Sequence, residues 1–196
     1  MTLLVLGLVV FLGMHAFSMA RGARANLIAR IGEGPYKGLY SLVSLIGIVL
    51  IAVGFGRYRA DGYIPVWDPP VWTRHLALLL VWIAFVCFVA AYLPGQIKRR
   101  LKHPMLAGVK IWAFAHLLAN GDLGSILLFG SILIWAVLAR IGAKRRDVAA
   151  QHGGTAPPAG LRNDVLALAI STVAYGIFVV WLHPWLIGVP VLPMRA

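Results

Sequence analysis

Six apolar stretches decide what this chain can fold into before any motif is considered. They run from Leu3 to Met19, Gly38 to Phe55, His75 to Leu93, Met105 to Ala119, Leu123 to Leu138 and Val165 to Leu186. A hydrocarbon core of about 30 Å takes roughly 20 helical residues to cross. Backbone placed in lipid must satisfy its own hydrogen bonds, so only helices or closed barrels span it. These runs lack the period-two alternation of barrel strands. The expected fold is therefore all-α, a polytopic membrane helical bundle of about six transmembrane helices. Composition agrees, because only 12% of residues are charged and 61% are hydrophobic, whereas a soluble domain carries roughly 25% charged residues.

The placement of positive charge sets the expected orientation. Arg21, Arg24, Arg30 and Lys37 follow the first stretch; Lys98, Arg99, Arg100 and Lys102 follow the third; Arg140, Lys144, Arg145, Arg146 and Arg162 follow the fifth. Lys and Arg collect in cytoplasmic loops, so these three connections are expected inside and both termini outside. The net charge of +12 then reads as a topology signal and as affinity for anionic headgroups of the lipid bilayer, with no nucleic-acid partner. The first stretch is expected to be a retained anchor, since its first positive charge, Arg21, comes after the apolar run and reverses the order of a signal peptide.

No connection is long enough to fold alone, so residues 1–196 form one transmembrane domain. The segment 151–160, "QHGGTAPPAG", is Gly- and Pro-rich and is expected to be a flexible cytoplasmic linker holding a solvated His152. The lone Cys87 excludes a disulfide framework, a Cys-pair zinc site and covalent c-type haem attachment.

Chemistry must then come from polar groups at membrane depth, where each is costly and hence a functional candidate. His75 and His183 lie near segment ends and are expected at the interface. His183-Pro184 is expected to end its helix, because proline disfavours helical geometry in the residue before it, with Trp181 and Trp185 as an aromatic belt. His15 lies six residues before Arg21, about 9 Å inside the cytoplasmic edge, with Ser18 as a bonding partner and Gly13 giving room for close helix approach.

The stretch "KHPMLAGVKIWAFAHLLANGD", Lys102 to Asp122, is the densest in candidates. His103-Pro104 reads as a helix start at the cytoplasmic rim. His116 lies about 20 Å further along the axis and roughly 140° round, so His103 and His116 cannot hold one ion and each needs a partner on another helix. Gly108 and Trp112 precede His116 at i−8 and i−4, offering close approach and an indole to pack on a flat ligand. Asn120 to Asp122 turn the chain, with Asp122 expected to cap the next helix. Lys110 either snorkels or pairs with an acid.

The segments "HAFSMARGARANLIARIGEGPYKGLYSLVSLIG", His15 to Gly47, and "KHPMLAGVKIWAFAHLLANGDLGSILLFGSILIWA", Lys102 to Ala136, together with "HPWLIG" from His183 to Gly188, resemble the NnrU family of membrane proteins. The resemblance covers nearly the whole chain. It implies a multi-pass protein of the inner (cytoplasmic) membrane, associated with denitrification and nitric oxide metabolism. The family is related to the plant 15-cis-zeta-carotene isomerase, a membrane haem b protein sharing the pattern from His103 to His116. That likeness implies haem b as cofactor, with His15 and His116 matching the proposed axial ligands to the haem iron and His103 matching the histidine of a His-Pro pair. A polyene or nitric oxide is then the implied ligand. Where the isomerase has a cysteine, this chain has Ala113, which argues against thiolate switching.

Geometry strains the proposed pair, since upright helices leave His15 and His116 about 10 Å apart in depth. The gap shrinks if the first helix runs on to about Arg24. Three readings follow. One is a haem-dependent redox enzyme or isomerase, and another a non-enzymatic accessory or sensor of denitrification. The third is an isoprenylcysteine-type membrane methyltransferase, suggested by "KHPMLAG" but short of the acidic and arginine-bearing segment such enzymes need. Catalytic residues, substrate and oligomeric state are not legible in the sequence.

Overall fold

The computed structural model describes residues 1–149 and 160–192. The Gly- and Pro-rich stretch up to residue 159, with His152, lies outside the described residues, as does Arg195. The chain is helical almost throughout: α1 Thr2–Met19, α2 Arg21–Ile31, α3 Glu33–Ala60, α4 Val71–Ala90, α5 Gln96–Leu101, α6 Pro104–Ala119, α7 Leu123–Ala149, α8 Leu161–Ile177, a π-helical turn Phe178–Leu182, and α9 His183–Ile187. Five helical units are long and apolar enough to cross a membrane, α8 to α9 counting as one. The sixth apolar helix, α6, has 16 residues and spans about 24 Å at 1.5 Å per residue, short of a hydrocarbon core. The result is an all-α polytopic membrane bundle.

Several helices run further than their apolar runs. Glu33 pairs with Lys37 at 2.8 Å, one turn on, and α7 continues through Lys144, Arg145 and Arg146. Charged ends extend a helix because long side chains reach water while the backbone bonds stay satisfied. The first helix does the opposite. It stops at Met19, Ala20 leaves helical geometry (φ −77°, ψ 84°), and α2 begins at Arg21, so it does not run on to Arg24.

The packing is inside-out relative to a water-soluble protein. Large apolar side chains such as Leu42, Leu45 and Val49 are exposed, while the buried set is rich in Ala77, Ala84, Ala113, Ala115, Ala136 and Ala143. With lipid as solvent, apolar surface gains nothing by hiding, and association rests on close packing of small residues. The closest seam is α1 on α3, where a Cβ on Gly7 would lie 2.6 Å from Ile51 N, one on Gly47 2.8 Å from Phe11 Cβ, and one on Gly54 would run into the backbone of Leu4. Gly13 faces open space, so the close approach sits two turns nearer the N-terminus than expected.

In order of contact the apolar helices form a row, α3, α1, α7, α6, α4, α8. The ends of the row approach where Arg59 Nη1 donates to Ile187 O at 3.5 Å. That is the hairpin end of the bundle, where the loop after α3 closes over the α6–α7 turn: Val66 N and Trp67 N donate to Gly121 O at 2.8 and 3.0 Å, and Leu123 N to Ile64 O at 2.9 Å. Asp122 caps α7 as expected, accepting from Ser125 N at 2.9 Å.

The opposite, basic end is tied by side chains. Asp164, at the start of α8, accepts from Gln96 N at 2.9 Å and Ile97 N at 3.0 Å, capping α5 from another helix. Cap removal costs about 0.5–2 kcal/mol, so Asp164→Ala is expected to lower stability by about 1–2 kcal/mol. Thermal unfolding in detergent and faster tryptic cleavage at Lys98–Arg100 would report it. Lys102 takes φ 59° in a tight turn closed by His103 N to Leu101 O at 2.7 Å. This strained residue redirects the chain so that Pro104 opens α6.

One expected stop is absent. His183 keeps helical angles (φ −65°, ψ −49°), and the chain ends its helix only at Gly188, in the left-handed region. The π turn at Phe178–Leu182 accounts for this. Proline removes a donor and crowds the carbonyl four residues back, and widening the preceding turn to i→i+5 bonding makes room for it.

Candidate haem-ligand site

His15 sits in the last turn but one of α1. Its Nδ1 lies 2.8 Å from Phe11 O, its own helix carbonyl. Its ring is walled by Phe11 (centroids 4.1 Å apart), Tyr40 of α3 (5.3 Å) and Trp135 of α7, which stands edge-on at 5.2 Å. Ser18 Oγ donates to the His15 carbonyl at 2.7 Å, so it bonds the backbone and not the ring.

His116 repeats the arrangement on α6. Nδ1 lies 2.8 Å from Trp112 O, and the ring packs on Trp112 (4.8 Å) and on Phe129 of α7 (4.5 Å). Gly108 lets α6 lie against α4, since a Cβ there would meet the Phe88 ring at 2.5 Å and Ala84 O at 3.0 Å. Asn120 Nδ2 donates to His116 O at 2.8 Å and closes the helix.

A carbonyl oxygen only accepts, so in both rings Nδ1 must carry the proton. A neutral imidazole then leaves Nε2 as a lone pair, and among the described residues no hydrogen bond reaches it in either. Ligating histidines are held in this way, one nitrogen fixed by a carbonyl and the other free for the metal.

The two rings touch different residues of α7. Phe129 and Trp135 are six residues apart, about 9 Å along the axis, and no contact joins the histidines themselves. The depth difference read from the sequence is thus visible in their neighbours. His183 is wired alike, with Nδ1 2.9 Å from Val189 O.

His103 is elsewhere. At the basic end its Nε2 meets Asp147 Oδ2 at 2.9 Å, both side chains about 30% exposed. It ties the start of α6 to the end of α7, a link reinforced by Arg140 Nη2 donating to Leu101 O at 3.2 Å. His75 is exposed. Lys110 forms no ion pair among the described residues. Cys87 and Ala113 are both buried, at 4% and 0% exposure.

Beside His15 the fold opens a cavity of about 400 Å³, lined by Ser18, Arg24, Tyr36, Lys37, Tyr40 and Ser41. Arg24 and Lys37 counted only as topology signals, although Tyr36 and Tyr40 at i, i+4 on one face of α3 were a usable sign. Tyr36 is 4% exposed, and among the described residues its hydroxyl has no partner. Trp135 Nε1, next to His15, is likewise buried and unpartnered. Buried polar atoms left unsatisfied call for an explanation, such as an absent ligand or ion.

Among the described residues no group of three or more His, Cys, Asp or Glu is placed to hold a metal by itself. A haem iron does not need one, since the porphyrin supplies four of its ligands and the protein one or two. The imidazoles present fit that demand singly. A search of curated proteins and a search of solved structures gave no match. A family model does match, described as NnrU protein and covering residues 3–191, and with nearly the whole length accounted for, the chain belongs to the NnrU family.

Proposed function

We propose that this chain is a haem-binding membrane protein serving denitrification or nitric oxide metabolism, with His15 and His116 as the protein ligands to haem b. The observation that carries the reading is the shared wiring of the two rings, Nδ1 fixed by the i−4 carbonyl and Nε2 left as a lone pair. When bound, the haem would supply a redox-active iron, and a coordination position for a small ligand such as nitric oxide or for a polyene double bond would open where one of the two imidazoles leaves.

The chain's own groups do the rest. The Phe11 and Trp112 carbonyls hold the imidazole planes and their tautomers. Trp112, Phe129 and Trp135 wall the rings and keep water out, and an apolar environment with little solvent tunes the potential of a bound iron. His103 supports the site from a distance by docking α6 on α7. A second pairing sets His183 opposite His116, since His183 is held like the other two imidazoles, with Nδ1 2.9 Å from a carbonyl, that of Val189.

The test is an ultraviolet-visible spectrum of the detergent-purified protein, oxidised and then reduced. A Soret band that shifts on reduction is expected, and a colourless preparation that takes up no added haem would sink the reading. Turnover of a polyene or a nitrogen oxide by the haem-loaded protein separates an enzyme from an accessory or sensor.

A further inference from the structure

We infer that the cavity beside His15 takes the carboxylates of the haem propionates, with Arg24, Lys37 and the Tyr36 hydroxyl as their partners. This rests on the haem reading above and adds which way the ligand enters. The cavity adjoins the His15 ring through Tyr40, whose ring lies 5.3 Å from it. Both cations in its wall come from the basic end of the bundle: Arg24 stands over the Tyr36 ring with its guanidinium carbon 5.6 Å from the centroid, and Lys37 is one residue on.

The chemistry is complementary. An arginine beside a carboxylate forms short, charge-assisted bonds, roughly twice as strong as neutral ones. The Tyr36 hydroxyl is a donor already taken out of water and without a partner, so an incoming oxygen satisfies it at no new desolvation cost to the tyrosine. Ser41 and Tyr40 add hydroxyls. Glu33 stands at the rim, paired with Lys37 at 2.8 Å with both side chains about two-thirds exposed. An exposed pair of this kind is weak, and Lys37 can turn to a second acid without a large loss.

The arrangement also gives an amphiphilic macrocycle a direction. Its acidic edge meets the basic end, where water and headgroups are, and its apolar body meets the lipid-depth rings around His15. The reverse orientation would put two carboxylates into hydrocarbon.

The test is a double comparison on the full chain in detergent, titrating haem b and its dimethyl ester, in which both carboxylates are blocked, into the unsubstituted protein and into Arg24→Gln and Tyr36→Phe. Comparing variants for each ligand cancels the ester's greater affinity for micelles. Arg24→Gln is expected to weaken haem b by about tenfold or more, as for a charge-assisted bond. The same substitution is expected to leave the ester within about twofold. Tyr36→Phe, which keeps the ring, follows the same pattern with a smaller loss.

If Arg24→Gln leaves haem b unchanged or weakens both ligands equally, the inference fails and the haem reading stands. If neither ligand gives a Soret band with the unsubstituted protein, both fail. If the discrimination disappears when the protein is placed in phosphatidylglycerol and survives in phosphatidylcholine, the cavity belongs to lipid headgroups and the inference is overturned.

Discussion

Gly54→Leu is expected to take α1 off α3 and cost about 3 kcal/mol or more, with loss of whatever the His15 side of the bundle binds. The obstacle is backbone, since a Cβ at Gly54 runs into Leu4, and backbone cannot rotate away. Overpacking of side chains costs about 1–3 kcal/mol, and a seam held by three such glycines has less slack. The matched control is Gly13→Leu. Gly13 lies on the same helix as His15 but meets nothing within 4 Å, so its change is expected to stay within about 0.5 kcal/mol. Thermal unfolding in detergent, with size-exclusion profiles, reads both. Equal behaviour of the two variants would mean that the α1–α3 seam is not where stability resides. Gly54→Leu should also reduce haem uptake, because His15 comes from α1 and Tyr36 and Tyr40 from α3.

His116→Ala is expected to abolish the Soret band or weaken haem binding by roughly a hundredfold or more, since losing only an outer-shell partner of a metal ligand already costs about 10- to 100-fold. His116→Gly with millimolar imidazole should restore the band if the packing around Trp112 and Phe129 survives. That restoration distinguishes a lost ligand from a collapsed fold. The companion substitutions decide the second ligand. Loss of the low-spin spectrum in His15→Ala but not in His183→Ala places the iron between α1 and α6 and implies a closing of the 9 Å offset seen along α7. The opposite result places it between α6 and α9, beside the π turn at Phe178–Leu182. Indifference to all three substitutions would remove His15, His116 and His183 as ligands.

Much of the fold was legible because lipid makes its demands locally. An uninterrupted apolar run has one backbone solution in a bilayer, and the six runs recur as six apolar helices. Asp122 as a cap and Pro104 as a helix start were readable for the same reason, since their effect lies within one turn. What failed or was missed depends on neighbours. Asp164 caps α5 from nearly seventy residues away in the chain, a link that no local pattern reports. His183-Pro184 looked like a stop and is carried through by a π turn. Arg24 and Lys37 looked like topology markers and share a cavity with Tyr36.

The candidate site divides in the same way. His15 and His116 stood out from sequence as imidazoles at membrane depth, and the long apolar runs without period-two alternation marked them as helical positions in a membrane protein. Only the tertiary structure decided which nitrogen of each ring is tied down and which rings of α7 stand against them. It alone tied the His183 ring to Val189 O and left an unpartnered tyrosine in the cavity beside His15. The reason is physical: helix formation in lipid is set by a residue's own backbone and solvent, whereas the partner of a buried polar atom is set by whichever helices the small residues allow to touch.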